Sequence, residues 1–74
     1  MNARIIERII NDMKKSNVLT GLCIDTTGNA TVIDTENGTQ EIMTDEQTGD
    51  TVLVLGTDEG TSFIDTRNIV RISF

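Results

Sequence analysis

The chain contains no histidine, tryptophan, tyrosine or proline, and its aromatic residues are Phe63 and Phe74 alone. Without histidine there is no imidazole to serve as a general base near neutral pH or to ligate a metal. Without a set of rings there is no platform on which nucleic-acid bases stack. Cysteine is nearly absent too. Cys23 stands alone, which excludes a disulfide within the chain and fits a reducing, cytoplasmic compartment. Its place in the apolar run Leu22-Cys23-Ile24, with no basic residue beside it, predicts a buried packing residue rather than a reactive thiol. Long hydrophobic runs are missing as well. The longest, Val52-Leu53-Val54-Leu55, falls far below the roughly 20 residues of a membrane span. Glu7, Arg8 and Asp12 break up what would have to be the apolar middle of a signal peptide. The expectation is a cytoplasmic chain with no membrane partner.

Positive charge is scarce. Six Lys and Arg face 12 Asp and Glu in 74 residues, a net charge of −6. Polyanions are held by clustered cations, so this balance argues against a phosphate-binding surface. The deficit is uneven. Residues 1–16 carry Arg4, Arg8, Lys14 and Lys15 against Glu7 and Asp12, whereas residues 17–74 carry only Arg67 and Arg71 against ten acids. Asp45, Glu46 and Asp50 concentrate acid in one polar loop. Such a surface keeps a Thr-rich sheet soluble, and it also suits a basic partner protein.

The first 16 residues read as a helix. Ile5, Ile6, Ile9, Ile10 and Met13 recur at the spacing of one helical face, with charged residues around the rest of the circumference. Lys14 and Lys15 close the last turn, where cations complement the helix dipole. The spacing predicts a helix over 3–15. Beyond it come short β-type runs separated by turn residues, predicted at 18–25, 30–35, 39–44, 51–55, 61–65 and 68–74. Asn37-Gly38 is a hairpin signal, Gly21 a candidate for a sharp strand bend, and Thr66-Arg67 a bend before the last run. The consecutive apolar residues of 51–55 predict a strand covered on both faces. The tripeptide Ile-Asp-Thr recurs from Ile24, Ile33 and Ile64, where an apolar stripe ends and a turn opens. Together these give a mainly β, α+β domain: an N-terminal amphipathic helix, 1–16, over a five- or six-stranded small antiparallel barrel, 17–74.

A chain of this size rarely gains more than about 3–5 kcal/mol from its own core. The last run places Val70, Ile72 and Phe74 on one face and Ile69 on the other, with no proline to guard the edge. The prediction is a homo-oligomer whose contacts fall on Val70, Ile72 and Phe74 and on the helix residues Ile5, Ile9 and Met13.

Residues 63–72, Phe-Ile-Asp-Thr-Arg-Asn-Ile-Val-Arg-Ile, resemble the second motif of the Sm-like small barrels, two short strands around a tight turn. Asp25 and Asn29 have the Asp-x-x-x-Asn spacing of the first motif. The resemblance implies an Sm-like or SH3-like barrel that assembles into rings by pairing strand edges, with Asp25 and Asn29 as base-binding residues. Where that family has an Arg-Gly pair, this chain has Asp65-Thr66, which removes the cation near the base and the close-approach glycine.

Catalytic chemistry finds no foothold. Asp45-Glu46-Gln47-Thr48-Gly49-Asp50 lacks the alternating ligands and closing glutamate of a calcium loop. No lysine and no helix follow the Gly-bearing turns, so they do not form a phosphate cradle. Serine and threonine lack a base to activate them. The sequence therefore predicts a non-enzymatic interaction module without metal or cofactor, self-assembling through strand edges and a helix face. An acidic nucleic-acid mimic directed at a basic protein through Asp45, Glu46 and Asp50 is the alternative, and an Sm-like RNA-binding ring the second.

Overall fold

The computed structural model describes residues 1–16, 22–33 and 38–74, with side chains excepted at 29–33. Helix α1 runs Ala3–Lys15, as its periodicity predicts. Asn2 caps it, accepting a hydrogen bond from the Arg4 N–H at 2.8 Å. Six strands follow: β1 (Leu22–Thr26), β2 (Asn29–Ile33), β3 (Thr39–Thr44), β4 (Thr51–Thr57), β5 (Gly60–Asp65) and β6 (Ile69–Ser73). A 3-10 turn, Thr66–Asn68, separates the last two at the predicted bend. Among the described residues the chain is mainly β with one α-helix. Gly21 lies outside the described residues.

The strands form two three-stranded antiparallel sheets, in the orders β2-β1-β6 and β3-β4-β5. The first is the terminal sheet and the second the meander sheet. This corrects the expected barrel: among the described residues no ladder joins the two sheets. The chain changes sheet twice, between β2 and β3 and again through the 3-10 turn, so each sheet ends at a corner instead of closing on the other. Asn37 of the Asn37-Gly38 signal lies outside the described residues, as do residues 34–36; among the described residues β2 pairs with β1 and β3 with β4. A hairpin joins β1 to β2 across Thr27-Gly28, with Gly28 at φ +90°, where a side chain would be strained.

One core serves both sheets and the helix. Ile6 and Ile10 from α1 meet Leu22 and Ile24 from β1, Leu53 and Leu55 from β4, and Ile69 from β6. Met1, Ile42, Ile64 and Ile72 pack around its margin. The Met1 amino group donates to the carbonyls of Thr66 at 2.8 Å and Ile69 at 2.9 Å, tying the start of the helix to the corner between the sheets. Strand β4 alternates: Leu53 and Leu55 are buried, while Val52 and Val54 are half-buried on the opposite face. The expectation of a strand covered on both faces is therefore corrected. Only its inner face is sealed.

The same alternation corrects Cys23. Leu22 and Ile24 both point inward, so the residue between them must point out, and it is half-buried. Its Sγ lies 3.6 Å from Asp25 Oδ1, as a weak donor.

Because Leu53 sits at the centre of the shared core, Leu53→Ala is expected to cost about 2–5 kcal/mol. Urea denaturation followed by circular dichroism measures it. A loss below 1 kcal/mol would mean that Leu53 does not occupy a packed core.

Candidate functional site

The predicted contact residues separate into three groups. On α1, Ile6 and Ile10 are consumed by the core, Ile9 and Met13 are half-buried on its flank, and Ile5 remains exposed. These last three lie at i, i+4 and i+8, a single row along the helix. Arg4, Arg8 and Lys15, all exposed, fall on the side of that row away from the core.

On β6 the predicted common face of Val70, Ile72 and Phe74 is corrected. Pairing with β1 slips between Asp25 and Thr26: Thr26 opposes Ile69 and Asp25 opposes Arg71. Val70 is thus an extra residue, a β-bulge, and alternation resumes one position later. Ile69 and Ile72 both turn to the core side, Ile72 opposite the buried Ile24, and Val70 is left outside. Phe74, one residue past the strand, is also exposed.

The third group was not foreseen. On the meander sheet, Met43 opposes Val52, and Val54 opposes Phe63, all on the face away from the core. Met43 and Phe63 are exposed while the two valines between them are half-buried. The signal was present in the sequence as the adjacent pairs Ile42-Met43 and Phe63-Ile64. Neighbours in a strand point to opposite faces, and here each isoleucine goes inward. Exposed fractions rank the surface: Phe63 64%, Val70 62%, Ile5 54%, Met43 53% and Phe74 43%. Both of the chain's aromatic residues are therefore on the outside.

The acidic residues are structural as well as superficial. Asp45, Glu46 and Asp50 are all exposed on the β3–β4 loop. Asp45 Oδ1 accepts the N–H of Gln47 at 2.8 Å and of Thr48 at 3.3 Å, folding the loop back on itself. Among the described residues no cluster of His, Cys, Asp and Glu could hold a metal ion. Asp25 lies beside the β1–β2 turn, 3.9 Å from Arg71 Nε, and Asn29 pairs with Thr26 across it.

At the corner, Asp65 and Arg67 form a forked pair. Arg67 donates its backbone N–H to Asp65 Oδ1 at 2.9 Å and its Nη2 to Oδ2 at 2.8 Å, and its Nη2 also stands 3.7 Å from Asp50 Oδ1. Hydrogen bonds from the Arg67 side chain, then from its backbone, hold the Asp65 carboxyl below its usual range. Beneath them Thr66 is buried; its hydroxyl bonds to that of Thr51 and donates to the Thr51 carbonyl at 3.3 Å. These are the positions where the Sm-like resemblance has its Arg-Gly pair. Here a carboxylate paired with Arg67 and a buried hydroxyl fill them. A groove between α1 and β3 is lined by Glu7, Asn11, Gln40 and Glu41 among others, and the buried Gln40 Oε1 has no partner.

No helix among the described residues is long and apolar enough to cross a membrane. Comparison with protein-family models, with curated proteins and with solved structures finds no match to this chain.

An acid titration tests the corner. A carboxyl with a lowered folded pKa contributes stability above its ordinary value, and that contribution is lost as pH falls through the lowered one. The melting temperature is expected to drop below about pH 4, and Asp65→Asn should shrink the drop while lowering stability at pH 7. Identical acid limbs for the two proteins would show that the pair carries no linkage.

Proposed function

We propose that this chain is a non-catalytic interaction module that assembles with copies of itself. The observation that carries the reading is the exposure of both aromatic residues together with Ile5, Met43 and Val70, beside a core in which seven aliphatic side chains are buried among the described residues. Large apolar groups left outside in rows, rather than singly, mark surfaces that bind other protein. Aromatic side chains are also the residues that most often anchor such contacts.

Strand β6 returns to lie beside β1, and β3, β4 and β5 form a meander. This order supports a small Sm-like or SH3-like roll, with the helix over one opening. RNA binding is not carried over with it, because Arg67 is already engaged by Asp65 and Asp50. The mimic reading, through Asp45, Glu46 and Asp50, ranks below self-assembly, because the turn Asp45 builds accounts for that residue without a partner.

Sedimentation velocity at rising concentration tests the proposal. The sedimenting mass should rise to multiples of 8.1 kDa in the micromolar range. A species fixed at 8.1 kDa up to several hundred micromolar, a range weak interfaces reach, would contradict it.

A further inference from the structure

The flank of α1 and the outer face of the meander sheet lie on opposite sides of that sheet. Ile6 and Ile10 pack with Leu53 and Leu55 on the inner face, while Met43, Val52, Val54 and Phe63 point the other way. A single copy cannot bring the two surfaces together. Two copies can.

Their lengths match. The row Ile5, Ile9, Met13 spans eight residues of helix, about 12 Å. Met43 and Phe63 are two strands and two residues apart, and standard sheet spacings put that diagonal at about 12 Å as well. The half-buried Val52 and Val54 fill the space between them, so an apolar row faces an apolar stripe of equal reach.

Their charges are opposite. Residues 39–67 carry seven acids, Glu41, Asp45, Glu46, Asp50, Asp58, Glu59 and Asp65, against the single base Arg67. Asp45, Glu46 and Asp50 border the sheet at its β3–β4 end, and Asp58 and Glu59 at the β4–β5 end. The helix row is bordered instead by the exposed Arg4, Arg8 and Lys15, with Asp12 as the one acid among them. Two acidic sheet faces would repel if stacked on each other, and so would two basic helix flanks. Opposite charge selects the mixed pairing.

We propose that one copy docks the Ile5, Ile9, Met13 flank of its helix onto the Met43–Phe63 face of the next copy, in a head-to-tail contact. This inference rests on the self-assembly reading and names the surfaces that perform it. The contact is heterologous, because each copy offers one helix flank and one sheet face, so it propagates into a ring or an open chain rather than stopping at a symmetric dimer.

Recombination of two one-sided variants tests it. Ile5→Asp spoils the helix flank and leaves the sheet face intact; Phe63→Lys does the reverse. Both positions are exposed, and circular dichroism checks that each variant keeps the native fold. Each alone should sediment at 8.1 kDa under conditions where the unmodified chain assembles. Mixed in equal amounts, they should form a 1:1 pair and nothing larger, since one intact flank meets one intact face. Arg8→Glu and Glu41→Lys provide a second, gentler pair: each alone should lose assembly, and their mixture should regain it beyond a 1:1 pair, because the two reversed charges attract as the original pair does. If the unmodified chain assembles but the variants also assemble alone, or fail to pair when mixed, the head-to-tail contact is wrong and self-assembly stands by another surface. If the unmodified chain stays monomeric, both readings fall. Should the monomer instead bind an added basic amphipathic peptide through Phe63, the occupant is a foreign helix and the second copy is overturned.

Discussion

The packing of Ile6 and Ile10 against Leu53, Leu55, Leu22, Ile24 and Ile69 is the interaction on which the rest of the molecule depends. There the helix and both sheets meet, with α1, β1 and β4 contributing two residues each and β6 one. A three-stranded sheet has two faces, and one helix with one opposing sheet can cover only the inner ones. Among the described residues no further element lies over the outer face of the meander, where Met43 and Phe63 are exposed. Any apolar side chain alternation sends there stays uncovered within the single copy.

Local chemistry at the corner decides which residues are sent outward. The Met1 amino group, the buried Thr66 hydroxyl and the Asp65–Arg67 fork fix the 3-10 turn between β5 and β6. That turn delivers Ile69 to the core, and the bulge at Val70 then allows Ile72 to face inward as well. Two core positions are gained from a strand of five residues, and Val70 is expelled as the consequence. Stability and surface composition are thus two results of one irregularity. The acids on the turns oppose non-specific stacking of the exposed faces while leaving a basic surface able to approach.

Much of this was legible in the sequence, for physical reasons that differ by element. The helix was readable to the residue because a period near 3.6 has few competitors when five aliphatic residues share a face. The meander strands were readable because polar turns with Gly49 and Gly60 punctuate them. What failed was information that lies in pairing rather than periodicity. The bulge at Val70 shifts the face of every later residue in β6, and nothing in Ile-Val-Arg-Ile announces it. Cys23 was misplaced because a buried run was assumed where strict alternation held. The outward direction of Met43 and Phe63 follows from the registers of β3 and β5 with β4, in which Ile42 and Ile64 both oppose the buried Leu53.

The central claim is that the aromatic surface left over by this core is covered by another copy. With only two phenylalanines, replacing both by 4-fluorophenylalanine gives two fluorine resonances, assignable by substituting one position at a time. Across a dilution series, the Phe63 resonance should move and broaden as concentration rises through the micromolar range and return on dilution, reporting loss of water from its ring. Two narrow resonances that hold the shifts of solvent-exposed rings at every concentration would contradict the account.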